Sequence, residues 1–424
     1  MDFLRPGRPA ILALLAGGLL AAGEPASGLA PAGPRIFCTP DTLCLPGGTP
    51  QAAEHPIARA LEKAAPGTVI VLDPGTYQPF TIGFRSSSRA NARTAGGRPG
   101  LPIVVQGRGE VRIAGAQGDT IAIDQAQRCG HITFRGLTIF AGERAGIMFY
   151  RQPADRPHVG FHFEDCDVLG RYDHLRAQGR KSKWGVWGHN LADFRFAGVS
   201  RPARVEGIQG EHGFYLQNPR GEIVIENVEG RFLGRTFCQF TARAAEGPPG
   251  TGAITIRNCR VEDVGVGAGD GYKGGSAFTF AGRLTGPILL ERNVYHAGFR
   301  KDWRVLTTPG VPYGTGALAA WQGGEALPNA SLTLRDNEFR FAPGCGDRPV
   351  VAIGGCREVK ILGANRFQSG GGEPALALDP VDDAGRPLSP PNGAVRLAPT
   401  THLEGAVTIG PRPATAAELS ALAR

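Results

Sequence analysis

Residues able to do acid–base chemistry gather at one place in this 424-residue chain, the segment GEHGFYLQN, which carries Glu211, His212 and Tyr215. Arg235, Gln239 and Arg243 follow shortly after, and Lys273 further on. These side-chain types suit β-elimination from a uronic acid. That reaction needs a cation to neutralise the carboxylate and so acidify the neighbouring C–H. It also needs a base to take the proton and an acid to protonate the departing oxygen. Arg243 or Arg235 has the charge for the first task. Lys273 or His212 serves as base where nearby cations depress its pKa, and Tyr215 can protonate the leaving group. Each also has a plainer reading: His212 as a turn partner, Lys273 as a surface lysine, Arg243 and Arg283 as strand-end arginines facing solvent.

Such residues work only if separate segments bring them together, and a repeated phrase supplies the means. An alternating strand, a turn with Asn, Asp or Gly, and a second short strand recur as HITFRGLTI, FHFEDCDVL, DFRFAGV, EIVIENVEG, AITIRNCRV, PILLERNVY, SLTLRDNEF and EVKILGANRF. Successive copies begin roughly 27 to 44 residues apart, the spacing of stacked-repeat architectures. Alternation at period two with β-branched and aromatic residues makes the unit strand-based. A third strand separates the copies, as in IMFYR, GVWGHN, GFYLQN, TFCQFT, SAFTFA, ALAAW and VVAI. Three strands per coil can pair only with their equivalents in the next coil, which makes parallel sheets along a solenoid. Sandwiches need frequent tight hairpins, and doubly wound folds need amphipathic helices between strands. The repeats show neither.

Parity in the third-strand series decides which side chains face outward. Phe214, Leu216, Cys238, Phe240, Phe278 and Phe280 point to the interior. Tyr215, Gln217, Gln239, Thr279, Arg243 and Arg283 point out, as do Tyr150, Trp187, His189 and Trp321. Stacked coil on coil, they form a stripe of aromatic, amide and guanidinium groups suited to sugar faces, hydroxyls and carboxylates. Tyr150, Trp187, His189, Gln217, Arg235, Gln239, Arg283 and Trp321 are the expected substrate contacts. The longest turns all lead into this sheet: RYDHLRAQGRKSKW from Arg171, VGVGAGDGYKGG from Val264, and the stretch after Ala297 with Arg300, Lys301, Asp302 and Arg304. Extra length gathered on one face of a repeat array marks its binding face.

On these strand–Asn/Asp–strand phrases the chain resembles the right-handed parallel β-helix proteins, a superfamily that includes pectate lyases and alginate lyases of the chondroitinase-B type. The resemblance spans about Val69 to Ile409. It implies an all-β fold of three parallel sheets with Gly136, Asp165, Asn227, Asn258, Asn293, Asn337 and Asn365 at or near the sharp turn. It also implies a polysaccharide substrate, Lys/Arg or His/Tyr catalysis and, in some members, calcium. Their full motifs do not map onto these positions, and one scaffold hosts many activities. Hydrolysis would call for clustered aspartates, yet Asp270 and Asp302 stand apart. The Asp-Pro-His triplet of uronan epimerases is absent. Ca2+ stays open as a cofactor through Glu211, Asp263 and Asp270, and no Cys/His spacing suggests zinc. A glycan-binding protein without turnover is the rival reading.

Arg5 and Arg8 before the apolar run Ala10–Gly23 read as a secretory signal, so residues 1–28 are expected to be removed and the protein secreted or periplasmic. Residues 29–50 form an N-terminal segment with a possible Cys38–Cys44 disulfide, and Cys345–Cys356 is the second candidate pair. Residues 51–424 form one β-helix domain, with a capping helix at about 51–65 and a loose tail past Pro380. The other cysteines read as small buried hydrophobes. A formal net charge of +8 favours an acidic polysaccharide partner. No nucleic-acid module or later membrane segment occurs, and caps at both ends imply a monomer.

Overall fold

The computed structural model of the chain describes residues 33–83, 90–115, 117–124, 129–170, 182–208, 210–242, 249–265, 275–298, 316–321, 329–346, 348–381 and 385–423. Repeats that alternate at period two build a parallel β-helix. One coil consists of Ala253–Arg257, Arg260–Val264 and Phe278–Gly282, each pairing in parallel with its equivalents before and after. Like residues therefore stack. The first face carries Ile223, Ile254, Ile288, Leu332, Val359 and Val395 in register. The second carries Val261, Tyr295, Phe339, Phe367 and Leu403. Phe134 and Phe163 stack at 4.9 Å between ring centroids, and Phe240 and Phe280 at 5.6 Å. Burying each such side chain stabilises by roughly 1.5–3 kcal/mol, so the core is a continuous column rather than a ball.

The bend between the first two faces is tight enough that both belong to one hydrogen-bonded sheet, and Ile132–Phe140 runs through it as a single strand. A left-handed residue makes the bend in seven coils, Gly136, Asp165, Asn227, Asn258, Arg292, Asp336 and Gly363, while the coil of Leu191–Ala197 and Ala203–Glu206 turns through a longer segment. Short polar residues and glycine reach this conformation most readily. The expected turn positions Asn293, Asn337 and Asn365 are corrected: they follow the left-handed residue and point inward. Asn293 Nδ2 donates to Asn337 Oδ1 at 3.1 Å, and Asn337 Nδ2 to Asn365 Oδ1 at 3.2 Å. Each amide also reaches a carbonyl of the preceding coil, Ile256 at 2.9 Å and Leu290 at 3.0 Å for the first two. Cys166 and Cys259 take the same place, with Sγ 3.5 Å from the Phe134 carbonyl and 3.8 Å from that of Ile225. Burial pushes both thiols up to about 12, which fits buried packing residues.

The solenoid begins earlier than residue 51. Arg35–Cys38 pairs in parallel with Val69–Leu72, so the N-terminal segment 29–50 supplies the first strand. Helix Pro56–Lys63 then covers the open end with Ile57, Ala58, Ala60 and Leu61 buried. Neither expected disulfide forms. Cys38 opposes Leu43 in an antiparallel pair while Cys44 opposes Phe37, so parity sends Cys38 and Cys44 to opposite faces. Cys356 is likewise a free thiol. The repeats also persist beyond Pro380, as Ala394–Leu397, His402–Glu404 and Val407–Ile409 complete another coil. Arg412–Pro413 folds back antiparallel on that coil, and a capping box at Thr415 and Glu418 starts the helix Ala416–Leu422.

Candidate functional site

The third face is a separate parallel sheet that includes Ala145–Phe149, Trp184–His189, His212–Gln217, Cys238–Ala242, Phe278–Gly282 and Leu318–Trp321. Phe214, Leu216, Cys238, Phe240, Phe278 and Phe280 lie in the core, as parity predicts. Between them, Met148, Trp187, Tyr215, Gln239, Thr279 and Ala319 stand in exact register on the outer face. A second outer column runs His189, Gln217, Thr241, Ala281 and the backbone of Trp321. The long insertions 171–181, 266–274 and 299–315 precede strands of this sheet in sequence and lie outside the described residues, as do Arg243, Lys273 and the Trp321 side chain.

The GEHGFYLQN cluster is real and is differently wired than expected. Only glycine fits at position 213, where a Cβ would stand 2.8 Å from the Phe237 carbonyl oxygen. This close approach carries His212 against the next coil, where it is 2 % exposed. Its Nδ1 lies 2.6 Å from Thr236 Oγ1 and its Nε2 3.3 Å from Glu211 Oε2. Arg235 Nη1 donates to the same Glu211 oxygen at 2.9 Å. Burial, with the Arg235 charge beside it, holds His212 far below the ordinary histidine range, so the ring is neutral. A neutral ring accepts from the Thr236 hydroxyl at Nδ1 and presents Nε2–H to Glu211. The expectation of His212 as base is therefore corrected: its lone pair is occupied and it is shut off from solvent. Its visible role is to pack under Tyr215, whose ring centroid is 4.9 Å away.

Tyr215 itself is half-buried and faces outward. Gln217 Nε2 donates to the Tyr215 hydroxyl at 3.0 Å. The phenol accepts that bond and keeps its own proton for another acceptor, the arrangement a proton donor needs. Trp184 and Trp187, 6.1 Å apart, put an aromatic surface next to it. Gln239 is partly exposed in the same column, while Thr279 is almost covered. His189 shares the outward direction and yet is 3 % exposed, which corrects its placement on the open surface. Burial, with the charge of Arg151 nearby, depresses it to about 4. Arg283 lies past the strand end, where its N–H donates to the Ala242 carbonyl at 2.6 Å.

One group escaped the sequence reading. Arg144 Nε donates to Asp119 Oδ1 at 2.8 Å, a second guanidinium nitrogen contacts both Asp119 and the Tyr150 hydroxyl, and that hydroxyl donates to Asp119 Oδ2 at 3.1 Å. Tyr150, expected as a sugar contact, is thus locked in an ionic cluster, and burial beside Asp119 raises its pKa. Asp119 and Arg144 lie 25 residues apart on adjacent coils, a pairing with no local signature. Farther along the same outer column, Ala319, Ala352, Ala377 and Thr408 floor a cavity of about 660 Å³ beside Arg348 and Glu373. Among the described residues no group of three His, Cys, Asp or Glu side chains converges as a metal site. Glu211, one of the expected calcium ligands, is taken by Arg235 and His212, and Asp270 and the Asp263 side chain lie outside the described atoms.

No protein-family model and no curated protein matches the chain. Among solved structures it is similar to an alginate lyase from Paenibacillus sp. str. FPU-7, at 12% identity and a TM-score of 0.47, over 80% of this chain and 95% of that one. It is also similar to a mannuronic acid specific polysaccharide family 6 lyase from human gut microbiota, at 13% identity and a TM-score of 0.40, over 82% of this chain and 62% of that one. Pectate lyase Pel9A gives 12% identity and a TM-score of 0.39, over 79% of this chain and 80% of that one.

Proposed function

We propose that this protein is an exported polysaccharide lyase that cleaves an acidic, uronic-acid-containing chain by β-elimination on the outer face of the third sheet. The observation that carries this reading is the in-register column Trp187–Tyr215–Gln239, with the Tyr215 hydroxyl held by Gln217 at 3.0 Å. Coil spacing repeats outward groups at about 4.8 Å, so an extended glycan lies along the column. Trp187 offers a face to a sugar ring, and Gln239 offers an amide to its hydroxyls. Tyr215 protonates the departing glycosidic oxygen. Lys273 remains the assigned base and Arg243 the assigned carboxylate partner, both on sequence grounds. Arg235 contributes charge while tied to Glu211. His212 positions Tyr215 from below and handles no substrate proton.

Purified protein would be incubated with alginate, pectate, chondroitin and a neutral glycan. New ultraviolet absorbance from the unsaturated uronate is expected with one acidic substrate. Reducing ends without that absorbance would replace elimination by hydrolysis. Retardation of an acidic polysaccharide in a gel with neither product would establish a binding protein.

A further inference from the structure

At the edge of the same sheet, where each coil turns from the third face back to the first, several donors lack acceptors. Arg220 opens the strand Arg220–Glu226, and two of its guanidinium nitrogens, Nε and Nη2, are buried without a hydrogen-bond partner. No ion pair engages it among the described residues. The same is true of two side chains that are each 3 % exposed: His189 at Nδ1 and Gln152 at Nε2. They belong to one locus. Asn218, two residues before Arg220, brings Nδ2 to 3.4 Å from His189 Nε2, and Asn190 Nδ2 donates to the Gln152 carbonyl at 2.6 Å. His189 feels the charges of both Arg151 and Arg220. With Nε2 turned to the Asn218 amide, neutral His189 carries its proton at Nδ1, and the Gln152 backbone neighbours the ring.

Unmatched buried donors are costly, by about 1–3 kcal/mol each and more for a charged group. Other arginines of this solenoid pair with carboxylates across coils, as Arg257 does with Glu226 at 2.8 Å. Among the described residues Arg220 has no such carboxylate. Asn190 Oδ1 is an unmatched acceptor at the same locus, yet no acid among the described residues pairs with the Arg220 guanidinium, and that charge calls for an oxyanion from outside the chain. The locus adjoins the outer column through His189 and Gln217.

We infer that Arg220, with His189 and Gln152 behind it, forms a subsite for one carboxylate of the bound polysaccharide, lateral to the reacting sugar. The inference rests on the lyase reading for its ligand and on these unmatched donors for its place. Rotation about its terminal torsions turns the Arg220 fork to the carboxylate at the rim, a bidentate match that lysine cannot reproduce. The subsite thereby selects chains that carry acid on successive residues over esterified or neutral ones.

Calorimetric titration of the full chain with alginate and pectate tetrasaccharides, their carboxyl-reduced counterparts and sodium sulfate tests this. The wild type is expected to bind an acidic tetrasaccharide about tenfold or more tighter than its reduced form, a gap that Arg220→Gln largely closes. Thermal melts check folding, and Arg220→Gln is expected to melt no lower, since it removes an unmatched charge. Equal preference for the acid form in wild type and Arg220→Gln would overturn the subsite, as would sulfate competing as well as the tetrasaccharide. If the Arg220-dependent preference persists without any unsaturated product, elimination fails and the subsite stands. If elimination proceeds with an unaltered KM in Arg220→Gln, the reverse holds.

Discussion

Among the described residues Tyr215 has one hydrogen-bonding neighbour at its hydroxyl, and that neighbour is a donor. Gln217 Nε2 gives its proton to the phenol oxygen at 3.0 Å, which leaves the phenolic O–H as the group that must find an acceptor. Tyr215→Phe keeps the ring over His212 and is expected to lower turnover by roughly 10²-fold or more while leaving the melting temperature in place. Turnover near the wild-type rate in that variant would remove Tyr215 from the reaction. Gln217→Ala leaves the phenol in place and unpositioned, so a smaller loss of kcat with little change in KM is expected. Trp187→Ala is expected to act the other way, raising KM about tenfold through the lost sugar platform, with kcat nearly kept. Outward parity was legible in GFYLQN and TFCQF, because period two leaves no freedom once Phe214 and Phe240 face inward. Accessibility was not legible: His189 has outward parity and is 3 % exposed, which alternation does not encode.

The bend ladder sets stability at the level of elements. Asn337 sits between Asn293 and Asn365 and bonds both, besides reaching the Leu290 carbonyl. Asn337→Ala leaves that carbonyl and the Asn293 backbone N–H, which donates to Asn337 Oδ1 at 3.0 Å, unmatched in a buried site, and is expected to cost roughly 2–4 kcal/mol in urea unfolding. Cys259 already stands in for such an amide, as a weak donor 3.8 Å from the Ile225 carbonyl. Cys259→Asn extends the ladder by one coil and is expected to stabilise by about 0.5–1.5 kcal/mol. A loss of stability in Cys259→Asn would show that the thiol was selected by packing volume. The strand–turn–strand phrase announced the bend. Which residue turned and which pointed inward differed by one position, since Arg292 and Asp336 adopt the left-handed conformation that Asn293 and Asn337 were expected to hold.

For the molecule as a whole, buried histidines link folding to pH. Burial lowers His158 and His189 to about 4, and shifts His212 well below the ordinary histidine range. In the unfolded chain each protonates near 6.5, in the native state only well below that and near 4 for His158 and His189, so the unfolded state takes up protons first as pH falls. Their contribution is complete above about pH 6.5 and is lost progressively between there and about pH 4. For His158 this amounts to roughly 3 kcal/mol. Urea midpoints measured at steps from pH 8 to pH 4 are expected to drop across that window, and His158→Gln to flatten part of the slope. A midpoint constant down to pH 4 would mean that these rings are not buried neutral in solution.

Composition and periodicity determined the solenoid, the recurring bend and which side chains of the third sheet face outward, because stacking forces every coil to repeat the spacing of its neighbour. Only the tertiary structure decided which side chains meet across coils. Arg144 with Asp119, His212 with Thr236, and Arg220 left without a carboxylate depend on how one coil is rotated and offset against the next. That offset is fixed by packing of the whole column and by glycines such as Gly213, so no single segment carries it.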